Sequence, residues 1–284
     1  FSSGLVTAAG GIAIVIPPSI AMILYAASAE QSIADLFLAG VIPGIFLAIL
    51  LGGYSYLYAA RLGIREGQSF NFRRVMTTSR RGFWALLMPA IVLGGIYAGV
   101  FSPTEAAGIA CVYALFISLF IYRDLSFAEV WRIAIGSAAL TGQILLLVCA
   151  AGVISWLVTT QGIPAHIAST IQELGLSKWS YLLIVNVLLL IVGCVLDPVS
   201  AILVPIAQSL GIDLVHFGLI MTVNLSIGMF SPPFGLNIFV AQASLEVPAH
   251  EIYKGVMPLL VVYGVGLAFI TLFPSMSLFL LNIF

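Results

Sequence analysis

Long apolar runs separated by brief polar punctuation make up most of the chain, and within the runs the spacing of polar positions is helical. Residues 5–29 form a first run, interrupted at Ile16-Pro17-Pro18-Ser19. Further runs cover residues 36–60, 83–100 and 104–122. A short polar link at 123–130 precedes a fifth run at 131–159, long enough to cross a bilayer at a tilt. Residues 163–176 are moderately amphipathic and suit a helix lying along a surface. The C-terminal third is less regular. An apolar stretch at 179–196 leads to Asp197-Pro198-Val199-Ser200 and a short limb at 201–210. A run at 214–243 containing Ser231-Pro232-Pro233-Phe234-Gly235 comes next, then a last span at 253–280.

The limb at 201–210 is decisive for topology. Ten helical residues reach only ~15 Å, about half of a ~30 Å hydrocarbon core, so this limb cannot cross. The economical arrangement is a re-entrant hairpin over about residues 179–210, both limbs entering from one side, with Asp197-Pro198 near its tip.

Composition places the chain in a membrane. It is 62% hydrophobic and 7% charged, with a mean hydropathy of +1.18, which predicts an all-α integral membrane protein. The net charge of -1 hides an uneven distribution, because six of the ten basic residues are arginines in residues 61–82. The positive-inside rule makes that loop cytoplasmic. Trp131, Trp156 and Trp179 near span ends suit the interfacial aromatic belt. Cys111, Cys149 and Cys194 lie in apolar surroundings without metal-ligand spacing and are expected to be packing residues. His166, His216 and His250 fall in interfacial segments and are expected to be solvated.

An internal repeat organises the rest. A shift of 215 positions superposes Thr7 on Thr222, Pro17-Pro18 on Pro232-Pro233, Ile23 on Ile238, Gly40 on Gly255 and Pro43 on Pro258. Two double-proline breaks, each followed at equal distance by Gly-x-x-Pro, are not a chance match of apolar text. Residues 1–60 are then the later part of a first repeat, and residues 83–284 a second. A partner hairpin is expected upstream of residue 1. Counting spans outward from the cytoplasmic loop, with the hairpin dipping in from outside, inverts the second broken run relative to the first, as in many secondary transporters.

Opening a helix inside a membrane frees carbonyls and amides that are costly in lipid and useful around an ion or an anion. The half-helix after each break presents amides and a partial positive charge suited to a carboxylate, and the freed carbonyls before it suit Na⁺. The candidate site is therefore Ile16, Pro17, Pro18 and Ser19 at the first break. At the second it is Asn224, Ser226, Gly228, Ser231, Pro232, Gly235 and Asn237, with Asp197, Pro198 and Ser200 from the hairpin tip. The plainer reading is that each Pro-Pro pair only kinks a tilted helix; its recurrence beside a hairpin weighs against that. Asp197 has two open roles, an intramembrane functional acid or the cap of a short helix starting Asp-Pro. Ser102-Pro103-Thr104-Glu105 has capping-box spacing, so Glu105 is expected to start a helix rather than relay protons.

No phosphate-binding loop, zinc-binding His-Glu-x-x-His or Gly-x-Ser-x-Gly elbow is present, and no basic nucleic-acid surface, so nothing points to an enzyme or a nucleic-acid partner. The segments AAGGIAIVIPPSI, FSPTEAAGIA, GIDLVHFGLIMTVNLSIG and SPPFGLNIFVA resemble the large membrane subunit of tripartite ATP-independent periplasmic (TRAP) transporters, the DctM-like family, along essentially the whole chain. The resemblance implies a Na⁺-coupled importer of organic acids in the bacterial inner membrane, with no organic cofactor. Its implied partners are a small membrane subunit and a periplasmic substrate-binding protein. It also implies an elevator mechanism in which hairpins and broken helices carry the solute past a scaffold. One sodium site would fall on Asp197, Ser200, Gly228 and Ser231, and another would use residues 16–19. On this resemblance the first hairpin is expected upstream of residue 1, so half of one sodium site and part of the solute pocket are not assigned to residues of this sequence. A stand-alone Na⁺/dicarboxylate or citrate symporter, and a non-transporting membrane scaffold, are the alternatives.

Overall fold

A computed structural model describes residues 1–63, 71–173, 177–192, 199–233 and 235–283, and all regular structure among them is helical. The helices are α1 (Ser2–Val15), α2 (Ile20–Ala29), α3 (Ile33–Arg61), α4 (Phe72–Arg81), α5 (Phe83–Tyr97), α6 (Pro103–Phe116), α7 (Phe127–Thr160), α8 (Ile163–Glu173), α9 (Lys178–Val192), α10 (Val199–Ser209), α11 (Leu214–Gly228), α12 (Leu236–Leu245), α13 (Ala249–Leu272) and α14 (Ser275–Leu278). Among the described residues five stretches, including Ser2–Ala29, Ile33–Arg61 and Ala249–Leu272, are long and apolar enough to cross a membrane. The chain divides into two compact units, one of residues 65–150 and one of residues 1–64 with 151–284.

In the unit of residues 65–150, α5 and α6 pack as a helical hairpin. The Phe101 ring occupies the space a side chain at Gly95 would fill, and the Tyr113 hydroxyl donates to the Trp84 carbonyl at 2.7 Å. The capping box at Ser102 is present: its backbone N–H donates to the Glu105 carboxylate at 2.8 Å, and its hydroxyl accepts from the Glu105 amide. Ser126 and Glu129 form the same box at the start of α7, which is why α7 begins four residues before the expected 131. Beyond α6 the chain continues as a π-helical stretch from Ile117 to Tyr122. Residues 72–81, expected as loop, are helical; Asn71 caps them by accepting from the Arg74 amide at 3.2 Å. Cys111 and Cys149 are exposed on helix surfaces rather than packed inside, because these helices face outward over most of their length.

The other unit is built around the two broken helices, and its packing follows the repeat. Helix α1 lies on α13 where α11 lies on α3; α1 meets α12 where α11 meets α2. Thr7 donates to the Ser3 carbonyl and Thr222 to the Gly218 carbonyl, both at 2.8 Å, so a hydrogen bond recurs at an interval of 215 residues. At the centre, the Ser226 hydroxyl donates 2.7 Å to the carbonyl of Gly11, its own counterpart in the other copy. Gly4 packs directly on Gly255, and Ala8 accepts from the Tyr263 hydroxyl at 3.0 Å, so α1 and α13 ascend together. Phe230 stacks edge-on against Tyr263 at 4.8 Å while Pro233 accepts from Tyr253, so the second broken helix descends along α13. The two broken helices therefore run in opposite directions.

Two local expectations are corrected. The last span ends at Leu272, not 280: Pro274 pushes Phe273 out of the helical region, to φ -119 and ψ 80, and α14 starts separately. The apolar text runs on without a change in composition, so only the proline marks this stop. His216, expected to be solvated, is 2% exposed, because α14 covers the first turn of α11 and Ser277 approaches its Nδ1 at 2.9 Å. His166 and His250 are exposed as expected.

Candidate functional site

In a continuous helix the amide of residue i+4 closes on the carbonyl of residue i. The residues four places after Ala13 and Ile14 are Pro17 and Pro18, which have no N–H to give. Accordingly α1 makes its last bond from the Ile16 amide to the Ile12 carbonyl at 2.9 Å, and Ile16 turns extended, with φ -82 and ψ 127. Ser19 is buried and starts α2, its hydroxyl accepting from the Met22 amide at 3.4 Å. Among the described residues no hydrogen bond reaches the carbonyls of Ala13 or Ile14. The amides of Ile20 and Ala21 open the first turn of α2, where no helical acceptor exists. These four residues, with Pro18 and Ser19, line a cavity of roughly 340 Å³ whose far wall is Leu225 and Met229 of the second copy.

The second break starts from the same chemistry and resolves it differently. Pro232 and Pro233 remove the donors that would have closed on Gly228 and Met229. Here, however, the Ser231 amide donates to the Gly228 carbonyl at 3.2 Å and the Asn237 amide to the Met229 carbonyl at 2.8 Å. This recapture needs the loop to double back tightly at Gly235, whose amide donates to the Ser231 carbonyl at 2.9 Å. A side chain there would place its Cβ 2.7 Å from the Met229 oxygen and 2.9 Å from the Phe230 Cα. The equivalent position in the first copy is Ile20, which points outward at 63% exposure. Pro17-Pro18 and Pro232-Pro233 are both cis peptides.

The polar side chains named from the sequence are mostly engaged in holding the helices together. Ser226 is bonded to Gly11, and Ser231 donates to the Ile227 carbonyl one turn back at 2.8 Å. Asn237 reaches the Thr7 carbonyl at 3.4 Å, packed against Gly10. Asn224 is fully buried and donates to the Asn186 side-chain oxygen at 2.7 Å and to the Ile220 carbonyl at 2.9 Å. Asn186 in turn donates to the Thr271 hydroxyl at 2.9 Å, so a polar chain ties α9 to α11 and α13. The Asn224 oxygen and the His216 Nε2 are buried without a partner among the described residues. Asp197 and Pro198 lie outside the described residues; Ser200 is in the first turn of α10, its side chain likewise outside them. Helices α9 and α10 are linked by the Tyr181 hydroxyl, which donates to the Leu203 carbonyl at 2.8 Å.

The structure thus brings Ile14, Pro18 and Ser19 together with Met229 at one cavity. It does not bring the side chains of Asn224 or Ser226 to that cavity. The residues missed from the sequence were Ala13, Ile14 and Asn186. The first two were recoverable by counting back four from each proline; nothing in the sequence paired Asn186 with Asn224. Among the described residues no group of three His, Cys, Asp or Glu could hold a metal. The described residues at the breaks offer a cation neutral oxygens, the donor set of an alkali ion rather than of zinc or copper.

Comparison with known proteins agrees over almost the whole chain. The family model for the DctM component of tripartite ATP-independent periplasmic transporters matches residues 1–276. The C4-dicarboxylate TRAP transporter large permease protein DctM of Pseudomonas aeruginosa is 41% identical over 99% of the chain and 67% of its own length. The sialic acid TRAP transporter large permease protein SiaM of Vibrio cholerae is 33% identical, covering 100% of the chain and 68% of its own length. The isethionate TRAP transporter permease protein DctMQ of Oleidesulfovibrio alaskensis is 37% identical over 98% of the chain, which spans 45% of that protein.

Proposed function

This chain belongs to the DctM component family of tripartite ATP-independent periplasmic transporters, multi-pass proteins of the inner membrane, and we propose that it forms part of the Na⁺-coupled pathway for an organic acid. A periplasmic binding protein delivers the acid, and a small membrane subunit completes the membrane complex. The observation that carries this reading is the pair of carbonyls at Ala13 and Ile14 left without a hydrogen bond among the described residues, in a stretch that lines one cavity together with Ile20 and Ala21 of the next helix start. Carbonyl oxygens replace part of the hydration shell of Na⁺, and a helix N-terminus favours a carboxylate, so one break serves both solutes. At the second break, the Ser231 carbonyl keeps a second lone pair beyond the bond it accepts from Gly235, and Gly228, Asp197 and Ser200 would complete that sodium site.

In this reading α9 and α10 form the re-entrant hairpin, closed by the Tyr181 to Leu203 bond. They move with α11 and α12 as the inverted, mobile half of an elevator, while the helices of residues 83–160 belong to the scaffold. Curated relatives named for C4-dicarboxylates, sialic acid and isethionate make anionic solutes the class to try first.

The test is uptake by proteoliposomes containing both membrane subunits, with the binding protein added outside. Accumulation of one of these acids that collapses without a Na⁺ gradient is the expected result. Uptake indifferent to Na⁺ would remove the coupling. Uptake without the binding protein would favour a stand-alone carrier, and none under any condition a scaffold.

A further inference from the structure

Helix α4 takes no part in either break. Its sequence, FRRVMTTSRR, puts Phe72, Val75 and Met76 on one face at intervals of three and four residues. All three are exposed, at 66%, 45% and 57%. Arg73 and Arg80 flank that face on one side, and Arg74 and Arg81 occupy register positions across the helix from it. A single residue, Gly82, both ends α4 and precedes α5, so α4 sits at the level where α5 begins. That level carries two further exposed aromatic residues, Phe83 and Trp84, the side chains that favour a membrane–water boundary. The positive-inside rule assigns the arginines to the cytoplasmic side, whose leaflet carries anionic lipid.

We propose that α4 is an interfacial helix that docks on anionic phospholipid headgroups, its Phe72-Val75-Met76 face in the acyl boundary and the flanking Arg73 and Arg80 on phosphate. A protein partner fits less well. Ten residues make a helix only ~15 Å long, and one face of it falls far short of the ~800 Å² per partner of a stable interface. A lipid surface needs no such area, because it continues around the helix and meets the adjoining aromatic residues as well. Arginine's long stem lets its head group reach phosphate while the stem covers the apolar stripe. Each basic residue near an anionic surface shifts such a docking equilibrium roughly fivefold.

The test uses the whole chain with Cys111, Cys149 and Cys194 replaced by Ala. A nitroxide is attached at Val75→Cys or, on the opposite face, Thr77→Cys. Liposomes are phosphatidylcholine alone or with phosphatidylglycerol, and no other subunit is present. With phosphatidylglycerol, the label at 75 is expected to be shielded from an aqueous nickel chelate and reached by oxygen, while the label at 77 stays in water. Substituting R73Q and R80Q together should weaken docking about twenty-five-fold and return position 75 to water, while R73K with R80K, which keeps the charge, should leave position 75 shielded. Equal shielding in both lipids, or shielding that survives the double glutamine substitution, would overturn the headgroup assignment. Shielding that appears only when the small membrane subunit is added would overturn it in favour of a protein surface.

Discussion

The two broken helices start from one pattern and end in different hydrogen-bonding states. At each, a proline pair removes two donors and so releases two carbonyls. At the second break, Gly235 lets the loop fold back, and the amides of Ser231 and Asn237 take up the released pair. At the first, the corresponding position is Ile20, the loop stays extended, and among the described residues no hydrogen bond reaches the carbonyls of Ala13 and Ile14, two residues that line a cavity. A side chain at position 235 would block the recapture, so the absence of one there is what lets the second break satisfy itself. Unsatisfied polar groups in a low-dielectric surrounding cost ~1–3 kcal/mol each, which makes the first break the stronger attractor for an ion. The second is the more self-sufficient, and its buried neighbours Asn224, Asn186 and Thr271 extend that self-sufficiency sideways into α9 and α13.

The harshest way to break this comparison is Gly235→Val. Its Cβ would meet backbone on three sides, and overpacking of that kind costs about 1–3 kcal/mol. Displacing the loop by an ångström is expected to reduce uptake on the order of a hundredfold. Ile20→Gly, its counterpart, should leave both uptake and thermal unfolding in detergent within error. Parallel losses in the two variants would refute the asymmetry.

Next in size is the double change Pro17→Ala with Pro18→Ala, which returns donors to the Ala13 and Ile14 carbonyls. An ion must then displace two hydrogen bonds of ~1 kcal/mol each, so half-saturating Na⁺ is expected to rise roughly tenfold to thirtyfold. The matched Pro232→Ala with Pro233→Ala change should move it less than about threefold, since Gly228 and Met229 already accept. Equal sensitivity of the two breaks in a Na⁺ titration of uptake would contradict the reading.

Ser226→Ala sharpens the comparison at the point where the copies meet. The Gly11 carbonyl would keep its bond within α1 and lose this second one, at a cost of about 0.5–1.5 kcal/mol in unfolding. Na⁺ half-saturation is expected to stay put, because this bond joins helices rather than lining the cavity. The smallest expected effect is Ser19→Ala, a lost helix cap of about 1 kcal/mol. It should appear as a modest drop in melting temperature, with no equivalent at Gly235, which caps α12 without a side-chain bond.

Much of this architecture is legible from particular residues. The proline pairs mark both breaks to within a residue or two, because a missing N–H acts locally whatever surrounds it. Ser102 and Glu105 announced the start of α6 for the same local reason. Where the text was uniformly apolar, local signals failed. Apolar length alone carries α13 past its end at Leu272, and the neighbours of His216 in sequence do not show its burial, which depends on α14. The high charge of the arginine-rich segment reads as loop, although its apolar residues recur at the spacing of the helix that forms there.

Donor arithmetic and apolar length are properties of the chain alone, so the sequence by itself determined that this protein lies in a membrane, repeats itself at 215 residues and interrupts two helices. Which released carbonyls stay open, and which buried amides find partners, was decided only by the fold. Those outcomes depend on whether a distant backbone can come within about 3 Å, the reach of a hydrogen bond.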